Sequence, residues 1–261
     1  MQWSDIPSID TMELKGKRVL MRLDLNAPVK DGVVQDDTRL RAALPTINYA
    51  LARSARLILC SHLGRPKGKI KPEFSLEPVA KRLSELLEHD IALTDYPVGD
   101  SASKLVHDLR NNDILMLENL RFDTREKAND SEFSQQLAQY AEIYILDAFG
   151  TSHRAHASTA GIMTHMQGPC GIGFLMRKEV NALSELLTSP QPGDGPFVAI
   201  LGGAKVSDKI GLIENLLDRC QSILIGGAMA YTFLKAKDQS IGASRYEEQY
   251  LPLAKNLIKR A

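Results

Sequence analysis

The sequence predicts an α/β protein of two Rossmann-like parallel-sheet domains joined by a hinge helix, the second domain truncated. Three observations carry this. Short apolar runs alternate with longer amphipathic stretches along most of the 261 residues, the pattern of a parallel sheet covered by helices. Most of the runs are continuously apolar, as strands buried on both faces are. One stretch, Ser189–Pro196 (SPQPGDGP), concentrates proline and glycine; these residues break regular structure and mark a linker.

Each element follows from its pattern. Strands are expected at Val19–Leu25, Leu57–Cys60, Ile91–Leu93, Ile114–Leu117, Ile143–Leu146, Phe197–Leu201 and Ile223–Ile225. Helices are expected at Asp37–Ala52, Leu76–Glu88, Ser131–Tyr140, Leu175–Thr188, Ser207–Arg219 and Tyr246–Lys259. Before the linker, Met176, Val180, Leu183 and Leu187 recur at helical spacing and define one apolar face. The chain therefore divides into a first domain over residues 1–173, a hinge helix and linker over 174–196, and a partial second domain over 197–261. The two strands and the few helices after the linker are thin for an α/β domain. Such a remnant exposes an uncovered sheet edge and apolar surface.

Composition excludes several function classes. Lysine plus arginine and aspartate plus glutamate number 32 each, so no broad basic surface for nucleic acid or membrane is expected. No apolar run reaches the roughly 18 residues of a membrane span, and the N-terminus lacks a secretory pattern. Cys60, Cys170 and Cys220 are far apart, unlike a disulfide framework or zinc site. A reducing cytoplasm is the expectation.

The informative charges follow the strands. In open α/β sheets, ligands bind outside the carboxyl ends of the strands. In the first strand Val19, Met21, Leu23 and Leu25 share one side and Arg22, Asp24 and Asn26 the other. Burying the second set is costly without partners, so that side is expected to meet a cleft. Arg39 opens the next helix. RLILC runs into His62 and Arg65, ILMLEN into Arg121, and EIYILD into His153, Arg154 and His156. Four strand ends deliver cations to one sheet edge, and arginine suits bidentate grip on phosphate and carboxylate. This points to a small polyanion. His153-x-x-His156 lacks the HExxH glutamate and a third ligand, so no metal site is assigned.

The second half carries a different device. FVAIL is followed by Gly202, Gly203, Ala204, Lys205, Val206, Ser207, Asp208 and Lys209, and SILI by Gly226 and Gly227. Glycines let backbone N–H groups approach phosphate, and a helix N-terminus adds partial positive charge. With Lys205 and Lys209 on the first helical turns, their side chains would project from one side. Neither loop has the GxxxxGK[ST] or GxGxxG spacing, which argues against a nicotinamide-dependent oxidoreductase.

An anion pocket, a phosphate loop and a hinge are what phosphoryl transfer needs. No general base stands out, and a carboxylate acceptor would need none. At the level of motifs the chain closely resembles the phosphoglycerate kinase family. The match runs from about Lys17 to the end, through VLMRLDLNAP (Val19–Pro28), SHLGRP (Ser61–Pro66), LENLRF (Leu117–Phe122), DAFGTSHRAHAS (Asp147–Ser158), GGAKVSDKI (Gly202–Ile210) and LIGGAMAYTF (Leu224–Phe233).

The resemblance implies a reversible transfer between Mg-ATP and the carboxylate of 3-phosphoglycerate, giving Mg-ADP and 1,3-bisphosphoglycerate. By the family pattern, Asp24, Leu25, Asn26, Arg39, His62, Leu63, Gly64, Arg65, Arg121 and Arg154 bind phosphoglycerate, with Arg22 and Asp24 holding the patch in place. Arg39, Lys205 and Lys209 are the expected catalytic residues. Gly202, Gly203, Lys205, Lys209, Gly226 and Gly227 line the nucleotide pocket. Family members continue past Ala261, so the metal carboxylate and ribose contact are expected outside this sequence. The alternative for this chain is a phosphoglycerate-binding fragment without catalysis.

Overall fold

A computed structural model of the chain describes residues 5–187 and 195–261, so the linker expected at Ser189–Pro196 lies almost wholly outside the described residues. The chain divides into two compact units, Met1–Ala182 and Leu183–Ala261.

The first unit begins with β1 (Arg18–Leu23), then the hairpin β2 (Val29–Lys30) and β3 (Val33–Val34). Next come α1 (Thr38–Leu51), β4 (Arg56–Cys60), α2 (Glu77–Leu87), β5 (Ile91–Leu93), α3 (Asp100–Asp108) and β6 (Ile114–Met116). They are followed by α4 (Thr124–Ala128), α5 (Ser131–Gln139), β7 (Ile143–Asp147), α6 (Phe149–Ser152), β8 (Cys170–Ile172) and α7 (Phe174–Leu187). Six strands form one parallel sheet in the order β5-β6-β4-β1-β7-β8. In the centre, Met21 pairs with Leu59 on one side and Ile145 on the other.

The apolar runs are continuous because both faces of this sheet are covered. Val19, Met21 and Leu23 pack with Leu40 and Ile47 of α1 and Val79 and Leu83 of α2. Leu20, Ile58, Leu115 and Tyr144 pack with Val106 of α3 and Phe133 and Leu137 of α5. Every one of these side chains is buried, each contributing about 1.5–3 kcal/mol where fully buried.

Five expected strands of this unit stand within a few residues of their sequence-derived bounds. The β2–β3 hairpin was not anticipated, although Asp31-Gly32 carries its signal. Both residues have positive φ (51° and 72°), the requirement of a tight two-residue turn. The short β8 and helices α3, α4 and α6 were also missed, because three to nine residues give too short a periodicity to read. On α7, Met176 packs against the core and Val180 is buried, but Leu183 is exposed. The Leu187 side chain lies outside the described residues.

A buried carboxylate ties the sheet to α7. Asp147 ends β7, accepts a hydrogen bond from Thr46 Oγ1 (2.6 Å) and another from the Met176 amide (2.8 Å), and is fully buried. Thr46 Oγ1 in turn accepts from the Phe174 amide at 3.0 Å. Free amides at a helix start favour such a carboxylate. Burial raises the Asp147 carboxyl above its ordinary value, while the Thr46, Met176 and Leu175 donors pull it back.

The second unit holds β9 (Val198–Gly202), α8 (Ile210–Leu217), β10 (Ser222–Gly226), α9 (Met229–Ala236) and α10 (Leu251–Arg260). Its two strands pair in parallel, Gly226 opposite Gly202. Val206, Ile213, Met229, Phe233, Ala254 and Leu257 form one core. The alternate strand residues Val198, Ile200 and Leu224 are 44%, 78% and 54% exposed, the bare apolar surface expected of so small a sheet. Two boundaries need correction. The helix read from Ser207 starts at Ile210. The helix read from Tyr246 starts at Leu251, with Pro252 in the first turn, where a missing N–H costs no helical hydrogen bond. No helix among the described residues is long and apolar enough to cross a membrane.

Candidate functional site

At the carboxyl edge of the large sheet lies a cavity of about 240 Å³. The loops after β1, β4, β6 and β7 each contribute to it, and α1 adds one side chain. Asp24, Asn26, Arg39, His62, Gly64, Arg65, Arg121, Gly150, Thr151 and Arg154 line it. A larger cleft, about 550 Å³, lies at the other end of β5 and β6 among Glu88, His89, Asp90, Asp108 and Asp113. Its acidic walls make it unsuited to an anion.

Eight of the ten residues expected to bind phosphoglycerate meet in the small cavity. Leu25 and Leu63 do not: both side chains are buried in the core under the sheet. What they offer is backbone. The Leu25 amide donates to Ser61 Oγ (3.0 Å), and Asn119 Nδ2 donates to the Leu63 carbonyl (2.8 Å). Gly150 and Thr151 line the cavity and were not singled out from sequence, though both stand in DAFGTSHRAHAS.

Each cation is set by local structure. Arg39 lies in the first turn of α1, half exposed, and pairs with Asp24 Oδ2 at 2.5 Å. The other oxygen, Asp24 Oδ1, is buried with no hydrogen-bond partner among the described residues. Asn26 Oδ1 accepts from the Gly64 amide at 2.9 Å. Arg121 is buried in a short 3-10 turn, Leu120–Phe122, capped by Asn119, whose Oδ1 accepts from the Arg121 amide (3.0 Å). Arg121 Nη1 donates to the Gly64 carbonyl at 2.8 Å. Burial disfavours its charge, and Arg154 and Arg22 add to that effect. Arg65 and Arg154 are exposed.

Arg22 does not face the cavity, as the alternation of the first strand had implied. It is fully buried. Its Nε donates to Ser158 Oγ (3.0 Å), its Nη1 to the Leu23 carbonyl, and its Nη2 to His62 Nδ1 (2.9 Å). These contacts tie it to the wall of the cavity through His62. Guanidinium is only a donor, so Nδ1 of His62 is the acceptor and the ring proton sits on Nε2. Burial first, then the charges of Arg22, Arg121 and Arg154, push His62 down to about 2. His62 is therefore a neutral donor.

The second unit places the two glycine loops side by side. Gly227 has φ +69°, and a Cβ there would lie 2.7 Å from the Gly203 carbonyl oxygen and 2.9 Å from its nitrogen. Only glycine allows this approach. The Met229 amide donates to the Gly203 carbonyl at 2.9 Å. Gly202 and Gly226 end the paired strands. Lys209 stands at the cap before α8 and Lys205 in the preceding loop, so the two lysines are not on helical turns. Glu247, which sequence reasoning missed, organises this loop. It accepts from the Val206 amide (2.6 Å), the Ser207 amide (3.1 Å) and Ser207 Oγ (2.7 Å). Partial burial opposes its charge, but these donors outweigh it and hold the carboxyl below its ordinary value.

Comparison with known proteins follows the same lines. The profile of the family described as "Phosphoglycerate kinase" matches residues 9–261. A phosphoglycerate kinase of Thermosipho africanus is 51% identical over 254 residues, 97% of this chain and 62% of that relative. One of Gloeothece citriformis is 51% identical over 257 residues, 98% of this chain and 63% of the relative. The solved phosphoglycerate kinase of Coxiella burnetii superposes with a TM-score of 0.84 at 40% identity, covering 98% of this chain and 63% of that one. The chain thus spans about 63% of the length of relatives it matches. With its motifs in register, its parallel sheet shared with solved relatives and a profile match over nearly its whole length, the chain belongs to the phosphoglycerate kinase family.

Proposed function

We propose that this chain carries the phosphoglycerate pocket and a nucleotide phosphate loop of an enzyme transferring phosphoryl between ATP and the carboxylate of 3-phosphoglycerate. The products are ADP and 1,3-bisphosphoglycerate. The observation that carries this is the cavity at the sheet edge, where four guanidiniums and the neutral Nε2–H donor of His62 surround about 240 Å³. Arginine forks grip phosphate and carboxylate oxygens. A polymer would not fit so small a space.

In this reading Arg39 orients the reacting carboxylate, which is already anionic and needs no base. Gly202, Gly203, Gly226 and Gly227 bring backbone to the nucleotide phosphates. Lys205 meets those phosphates, and Lys209 offsets charge on the transferring group. Magnesium enters with the nucleotide. Among the described residues no cluster of three or more His, Cys, Asp or Glu side chains could hold a metal, and no protein ligand for it is assigned. Residues 1–173 form the phosphoglycerate domain, 174–196 the hinge and 197–261 the nucleotide part of a cytoplasmic, monomeric enzyme.

A second reading has its own support. Every anion-holding residue from Asp24 to Arg154 lies within the first unit, so this chain can bind phosphoglycerate without turning it over. A coupled assay of ATP formation from 1,3-bisphosphoglycerate and ADP, beside calorimetric titration with 3-phosphoglycerate, separates the two. Binding with turnover supports the enzyme, and binding alone the fragment. The absence of both refutes the site.

A further inference from the structure

Behind the cavity wall runs a line of buried polar groups that ends on His62, which lines the cavity. Glu126, on α4, is almost fully buried, and Ser158 wholly so. The Ser158 amide donates to Glu126 Oε2 (3.0 Å) and the Ser158 hydroxyl to Glu126 Oε1 (2.6 Å). The same hydroxyl oxygen accepts from Arg22 Nε at 3.0 Å. Arg22 Nη2 then donates to His62 Nδ1 at 2.9 Å.

Every direction in this line follows from chemistry. Arginine can only donate, and a carboxylate can only accept. The Ser158 proton is therefore committed to Glu126, its lone pair to Arg22, and the Arg22 fork to His62 Nδ1. That leaves Nε2 as the remaining polar atom of a ring that lines the cavity. The cost of burying Arg22 and Glu126 is met only while Ser158 bridges them.

We propose that Glu126 and Ser158 are positioning residues for the anion pocket, acting through Arg22 to hold His62 in the Nε2–H tautomer so that it donates to a bound anion. The proposal rests on reading the cavity as an anion site. The groups facing His62 are Arg22, Arg121, Arg154 and His156, all of which oppose its protonation, as does burial. His156 is itself pushed down to about 4 by burial and the neighbouring arginines, with its Nδ1 3.9 Å from Glu126 Oε1.

The test is a long-range proton–nitrogen NMR correlation on the full chain with labelled histidine, without ligand. The expected spectrum shows His62 as one neutral Nε2–H tautomer, unchanged across the window where an ordinary histidine titrates, about pH 5 to 8. Ser158→Ala is expected to release it, giving tautomer averaging or a titration step in that window. The affinity for 3-phosphoglycerate then falls about tenfold, the loss from weakening one charge-assisted bond. Glu126→Gln, which keeps the volume, is expected to act in the same direction should Ser158→Ala not fold. A parent His62 in the Nδ1–H form, or one titrating in the window, overturns the proposal. So does a folded Ser158→Ala with the parent spectrum and affinity. If the parent shows the expected tautomer but 3-phosphoglycerate leaves the His62 signals unmoved, the relay stands and the ligand reading falls.

Discussion

Gly173→Ala is expected to destabilise the first unit severely, although it adds one methyl group to an ordinary backbone conformation. The Cβ would lie within 2.5 Å of Asp147 Cγ and both carboxylate oxygens. Asp147 is fully buried and cannot swing aside without releasing Thr46 Oγ1 (2.6 Å) and the Met176 amide (2.8 Å). Overpacking costs about 1–3 kcal/mol, and freeing a charge-assisted bond about 1.5–3 kcal/mol. The sum, about 2.5–6 kcal/mol, is a large share of a typical domain stability of about 5–15 kcal/mol. Urea unfolding followed by far-ultraviolet circular dichroism measures it, with Asp147→Ala and the double variant completing a cycle. Removing the carboxyl removes the clash, so the two changes should couple by about 1 kcal/mol or more. A Gly173→Ala protein within about 0.5 kcal/mol of the parent, the range of an inert surface change, or an additive cycle, would refute the reasoning.

Arg39→Ala and Arg65→Ala are each expected to weaken 3-phosphoglycerate binding by about 1.5–3 kcal/mol, with a shallower salt dependence; calorimetry at two salt concentrations checks both. Gly227→Ala, strained by its φ of +69° and its approach to Gly203, should cost roughly 1–3 kcal/mol. Hydrogen exchange should show faster exchange in residues 197–261 and unchanged protection in the large sheet. Glu247 has a lowered carboxyl, so its hold on the loop is complete above the ordinary carboxylate range and is lost as pH falls through its own lower value. The Val206 and Ser207 amides should lose protection in acid, and Glu247→Gln should lack that step.

Much of the fold and the first-unit pocket was legible in the sequence, for a physical reason. Strands buried on both faces must be continuously apolar, so β1, β4, β6 and β7 announce themselves as runs. In a parallel sheet all their carboxyl ends share one edge. His62, Arg65, Arg121 and Arg154 could therefore be assigned to one place from strand ends alone, and Arg39 to the helix that follows the first strand. What the sequence could not decide was which polar side chain faces the cavity and which supports its wall. Arg22 shares a strand side with Asp24 and Asn26, yet two acceptors from distant segments, Ser158 and His62, and the neighbouring Leu23 carbonyl draw it into the interior. Leu25 and Leu63 sit in the right motifs but point into the core. Ser158, Glu126 and Glu247 gave no local signal, since a residue 32 to 136 positions from its partner has no periodicity to betray it. The helix start at Ile210 comes after the Val206 and Ser207 amides that Glu247 engages, and the start at Leu251 places Pro252, which has no N–H to donate, in the first turn. Periodicity encodes burial, which is local. Hydrogen-bond partnership is chosen only when the chain has folded and brought donor and acceptor together.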